Sequence, residues 1–179
     1  MSDENGNHTN TAEINNFVST NSRGGLWLPV VLGAFGIGVV LSGIFTGSVG
    51  LYGDINDVTM SDGFQLATRE LFRIVVFSFL LLGALHINSW RMRRQMGNLL
   101  MSTIRCLAII SLLEAIRVAQ IDQGVSRTVF ISASQYVVCV ILVLLLFKLT
   151  IREAFLFVTG CTVGVMVLWL GAHLGIWIA

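Results

Sequence analysis

The 179 residues are 55% hydrophobic and 12% charged, with a formal net charge of +1 and a mean hydropathy of +0.81. Soluble domains carry roughly a quarter charged residues, so this composition excludes a soluble globule, and with one Pro and three Cys it also excludes collagen and a disulfide scaffold. Phosphate binding needs a concentrated basic face, and only Arg91, Arg93 and Arg94 cluster, so nucleic acid is excluded as a partner.

Residues 1–25 are polar and rich in Asn, Ser and Thr, with no basic region running into a short apolar segment and a small-residue cleavage site. They read as a disordered, retained tail on the cytoplasmic side. Residues 26–179 read as a single transmembrane helical bundle. A hydrocarbon core about 30 Å thick needs roughly 20 apolar residues at about 1.5 Å each, and five runs meet that measure: about 26–52, 71–90, 99–121, 129–147 and 154–178. The fold class is therefore all-α, a polytopic integral membrane protein of about five spans. The third run carries Arg105, Glu114 and Arg117, and the number falls to four if that run is not fully embedded.

Lys and Arg in short loops are retained on the cytoplasmic side. Arg91, Arg93 and Arg94 follow the second run, and Lys148 and Arg152 follow the fourth, which places both loops and the N-terminus inside. The first outer loop then holds Asp54, Asp57, Asp62, Arg69 and Glu70, and the second is the segment from Asp122 to Arg127. Trp27, Tyr52, Trp90 and Trp177 fall at run ends, as interfacial aromatic anchors do.

Two runs carry glycine on one face. Gly160, Gly164, Gly171 and Gly175 fall within about 60° of each other at about 100° per residue, and Gly36, Gly43, Gly47 and Gly50 do the same on the first run. Lipid tails supply no hydrophobic drive between helices, so small residues that let backbones approach are a main source of association. These faces pack either inside the chain or against another protomer or subunit.

The third run holds the chemistry-bearing residues. A charge at the bilayer centre costs about 2.5–3.5 kcal/mol on insertion scales, so it faces protein or water and finds a partner. Glu114 and Arg117 are three residues apart and can pair on one helix face. Arg105 is nine residues before Glu114, about half a turn around the helix, and points the other way, toward Asn98 and Ser102, where it can snorkel. The charges fit a structural pair that fixes packing, or a path for an ion, a proton or an anionic ligand that also includes Asp122.

His86 and His173 near run ends raise the question of a bis-histidine haem. The predicted topology puts them at opposite faces of the bilayer, so they cannot share one porphyrin. Each remains a possible contact for a cofactor shared with a partner. No cofactor is expected from the sequence, although bound lipid or pigment is compatible with it. Cys106, Cys139 and Cys161 sit singly in apolar runs and read as small buried hydrophobes rather than metal ligands. No nucleophile elbow, phosphate loop, zinc helix or calcium loop is present, and the chain reads as a non-enzyme.

Ala115-Ile116-Arg117, followed by Asp122, a short polar turn and the apolar run from Val129 to Phe147, resembles the phosphate-starvation-inducible PsiE-like membrane protein family. The likeness extends over about residues 26–150, whose four runs match that family's four-span layout. The fifth span and the polar tail depart from it. The resemblance implies an envelope or stress-related role in a bacterial or archaeal cytoplasmic membrane, no established enzymatic activity, and Arg117 and Asp122 as the residues in common. Together these features lead to the expectation of a non-catalytic accessory or assembly subunit that packs by its glycine faces against other membrane subunits amid lipid. The alternative is a small homo-oligomeric channel or transporter using the charges of the third run.

Overall fold

A computed structural model describes residues 25–45, 60–92, 97–118, 125–147 and 149–178. Every regular element among them is a helix: α1 (Trp27–Phe45), α2 (Met60–Arg91), α3 (Leu99–Val118), α4 (Val125–Leu146) and α5 (Ile151–Ile178). A segment in hydrocarbon must satisfy all its backbone polar groups internally, and a helix does this within one stretch of chain. Three helices, α1, α2 and α3, are long and apolar enough to cross a membrane, and α4 contains a shorter apolar stretch, Phe130–Leu146.

Local signals set several ends. Pro29 lies in the first turn of α1, where its missing N–H has no helical partner to lose. Gly97 takes a left-handed φ of 76°, and Asn98 then caps α3 by accepting the Leu100 N–H on Oδ1 at 3.0 Å. Thr150 and Glu153 form a capping box on α5: Thr150 N–H donates to the Glu153 carboxylate at 2.8 Å, and Glu153 N–H donates back to Thr150 Oγ1 at 3.4 Å.

Three elements start earlier than the predicted runs, and the smallest shift is in α5, which begins at Ile151 rather than Ala154. Helix α2 begins at Met60, so Asp62, Arg69 and Glu70 are helical instead of belonging to a loop, and α4 begins at Val125 rather than Val129. In each case polar residues in the first turns lie ahead of the apolar run but inside the helix. The residues between α1 and α2, which include Gly47, Gly50, Asp54 and Asp57, lie outside the described residues, as does Asp122.

The bundle is built around α3, whose apolar stretch is half buried, against about a quarter for α1 and α2. Helix α1 packs most closely on it, through Gly33, Gly36, Val40 and Ile44, spaced three and four residues apart. A Cβ at Gly36 would come within 2.7 Å of the Ser111 carbonyl carbon and 2.8 Å of the Leu112 nitrogen, so the two backbones touch there. Gly33 is looser, with Ala108 at 3.6 Å. Helices α2 and α4 flank the rest of α3, and a core of Leu81, Leu85, Met101, Cys106, Ile109, Val143, Phe147 and Phe157 joins them to the start of α5.

Candidate functional site: an ion-pair cluster between two helices

Glu70, Arg73, Glu114 and Arg117 meet where the N-terminal half of α2 passes the last turns of α3. Arg117 donates from Nη2 to Glu70 Oε2 at 2.6 Å and from Nε to Glu114 Oε2, also at 2.6 Å. The other Glu114 oxygen, Oε1, lies 3.2 Å from Arg73 Nε, an ion pair without hydrogen-bond alignment. The Arg73 guanidinium also stacks over Phe77, 5.4 Å from the ring centre. Two anions and two cations thus sum to zero.

Burial grades the cluster. The Glu70 side chain is 4% exposed, Glu114 10%, Arg117 22% and Arg73 39%. The inner pair, Glu70 with Arg117, is the desolvated one, and removing either partner would strand a buried charge. Arg73 lies at the rim.

The arrangement has a sequence signature that hydropathy hides. Glu70-Leu-Phe-Arg73 on α2 and Glu114-Ala-Ile-Arg117 on α3 share one spacing, Glu-x-x-Arg. Across antiparallel helices that spacing gives reciprocal cross-pairs, Glu70 with Arg117 and Glu114 with Arg73. Hydropathy does not reveal it, because Arg69 and Glu70 lie ahead of the apolar run and read as loop.

Arg105 faces away from this cluster. It is 1% exposed and donates from Nη1 to the carbonyl of Leu146, the last residue of α4, at 2.5 Å, while its Nε is buried without a hydrogen-bond partner. It therefore does not snorkel. The carbonyls of a final helical turn lack intrahelical donors and carry the negative end of the helix dipole, so Arg105 closes the C-terminus of α4. On the same side Gln135 Nε2 donates to the Leu113 carbonyl at 3.0 Å, a second tie from α4 to α3.

The glycines divide. Gly36 is in tight contact with α3, and Gly43 is half-buried on α1. Gly160, Gly164 and Gly171 have nothing within 4 Å, so packing inside the described chain does not account for the face on α5. Among the described side chains, the first turns of α5 are the ones held, by Ala154, Phe157 and Val158 in the core and by a hydrogen bond between the Tyr136 and Thr159 hydroxyls at 2.7 Å. Residues 162–167 are exposed on all sides of the helix. His86 is exposed on α2, while the surroundings of His173 and Gly175 lie outside the described side chains. Among the described residues, no three His, Cys, Asp or Glu side chains converge with metal-holding geometry.

These features define an all-helical, multi-pass membrane protein with one cluster of charged side chains paired between two helices. Comparison with family models, with curated proteins and with solved structures returned no match.

Proposed function

We propose that this chain is a non-catalytic accessory or assembly subunit of a larger membrane complex, with α5 carrying the contact to a neighbouring helix. The observation behind this reading is the contrast between the two glycine faces. Gly36 is occupied by α3, whereas Gly160, Gly164 and Gly171 open outward on a helix that is exposed from residue 162 to residue 167 and has no neighbour there among the described residues. Small residues in such a row permit the close backbone approach on which helix association in lipid depends. A bacterial or archaeal cytoplasmic membrane is part of the same proposal, and the resemblance to PsiE-like proteins agrees with it.

The test is to replace Gly164 with Leu, extract the protein from its native membrane in mild detergent, and measure the mass and subunit composition of the particle. Release of a defined foreign subunit, with the chain itself still folded, supports the reading. An unchanged particle, or a pure homo-oligomer, counts against it.

A homo-oligomeric channel or transporter is the second reading, favoured by Glu114 and Arg117 lying within an otherwise apolar helix. Each of these charges already has a partner of opposite sign at 2.6 Å, so a conduction path would require the pairs to open. If Glu114→Gln abolished an ion flux while assembly persisted, this second reading would replace the first.

A further inference from the structure

Helix α2 has 32 residues, about 48 Å at 1.5 Å per residue, and so exceeds a hydrocarbon core about 30 Å thick. Trp90, 84% exposed near its C-terminal end, is placed to mark one interface. Counting back about 20 residues, one core thickness, reaches Leu71, so Arg69 and Arg73 bracket the level where hydrocarbon meets headgroups.

These two arginines are one helical turn apart and share a face. Arg69 is exposed, with no ion pair or hydrogen bond among the described residues. The inward edge of Arg73 is occupied, since its Nε faces Glu114 and its plane rests on Phe77. Its terminal nitrogens make no hydrogen bond among the described residues. The guanidinium is thus oriented by the protein with donors to spare at its outer edge. Continuing along the same face toward the far end of α2 come Val76 and Leu80, at offsets that keep them in line with Arg69 and Arg73, exposed to 38% and 47%. One acidic residue, Asp62, lies on this face, two turns beyond Arg69 and away from the apolar stretch.

We infer that Arg69 and Arg73 form a binding site for the phosphate of an anionic phospholipid, with an acyl chain laid along Val76 and Leu80. Charge decides the class of lipid. The four charges of the cluster sum to zero, which leaves Arg69 as the surplus cation at this level of α2, with Asp62 about 10 Å farther along the helix, and a lone surplus cation matches a phosphodiester without a cationic headgroup. Guanidinium is suited to it because its fork of N–H donors fits two phosphate oxygens at once. The site is independent of the accessory-subunit reading, since it lies on α2 and uses no residue of α5.

The test uses the purified full-length chain in bicelles of equal phosphatidylglycerol and phosphatidylcholine, with retained lipid measured by native mass spectrometry. Phosphatidylglycerol is expected to be enriched, and Arg69→Gln should reduce that enrichment by about fivefold, the net effect of one hydrogen bond to the phosphate. Arg73→Gln should do the same. Arg69 is outside the ion-pair cluster, so its variant tests the site even if Arg73→Gln disturbs the fold. Arg91→Gln, at the far end of the same helix, should leave the enrichment unchanged. Equal retention of the two lipids would overturn the proposal, as would a loss in Arg91→Gln matching that in Arg69→Gln. Thermal stabilisation by inorganic phosphate equal to that by phosphatidylglycerol would show an anion site instead of a lipid site, and would also overturn it.

Discussion

Gly36→Ala and Gly33→Ala place the same methyl group one turn apart on one interface, and the structure expects opposite results. At Gly36 the new Cβ would meet the Ser111 carbonyl carbon and Oγ at 2.7 Å and the Leu112 nitrogen at 2.8 Å, whereas ordinary contacts begin near 3.4 Å. Two of these three atoms are backbone, so rotation of a side chain cannot relieve the contact. The helices must separate by roughly the difference, about 0.7 Å, and overpacking of this kind costs about 1–3 kcal/mol. Alanine's preference for the helix returns about 0.5–1 kcal/mol, which leaves a net loss of up to about 2.5 kcal/mol. At Gly33 the nearest atom is Ala108 Cα at 3.6 Å, so only the helix preference acts and the variant should be neutral or slightly more stable. Unfolding by sodium dodecyl sulfate in mixed micelles, followed by tryptophan fluorescence, gives both values on one scale. Equal midpoints for the two variants would refute the close α1–α3 approach at Gly36.

Three further predictions concern the polar groups. Arg117→Gln leaves Glu70 and Glu114 without their shared partner and should destabilise by about 3–5 kcal/mol, the range for breaking a buried pair, whereas Arg73→Gln at the exposed rim should cost under about 1 kcal/mol. The same unfolding titration separates them, and a loss in Arg73→Gln as large as that in Arg117→Gln would contradict the graded burial. Arg105 is the largest of the fully buried side chains, so Arg105→Ala should open a cavity and cost about 2–5 kcal/mol. Arg105→Met, which fills the space and removes a poorly partnered charge, should recover most of that loss. If Met proved as destabilising as Ala, the charge on the α4 terminus would be the dominant contribution. Thr150→Ala removes the cap from α5 and should cost about 1 kcal/mol, read as a lowered midpoint with unchanged lipid retention.

Hydropathy determines a good deal of this protein because lipid imposes a simple rule. A chain in hydrocarbon must pair its own backbone groups, so long apolar runs become helices whatever surrounds them. The helical class, the five elements and the opposed directions of Arg105 and Glu114 follow from run length and a rotation of about 100° per residue. The same measure failed at the start of α2. A helix continues beyond the hydrocarbon wherever water or neighbouring helices satisfy its side chains, and Arg69 and Glu70 ended the run without ending the helix.

Partner choice was the tertiary structure's to make. Glycine spacing is alike on α1 and α5, yet α3 covers Gly36 and leaves Gly164 open, because a row of small residues specifies how closely a helix can be approached and says nothing about which helix approaches. Likewise Glu114 has Arg117 three residues away in the chain, and only the antiparallel passage of α2 brings Glu70 and Arg73 to complete the cluster. Arg105 presents the same contrast. Its sequence neighbours suggest a side chain reaching for the interface, and the fold instead places the open carbonyls of α4 against it, so a charge that would be costly in lipid closes the end of a helix.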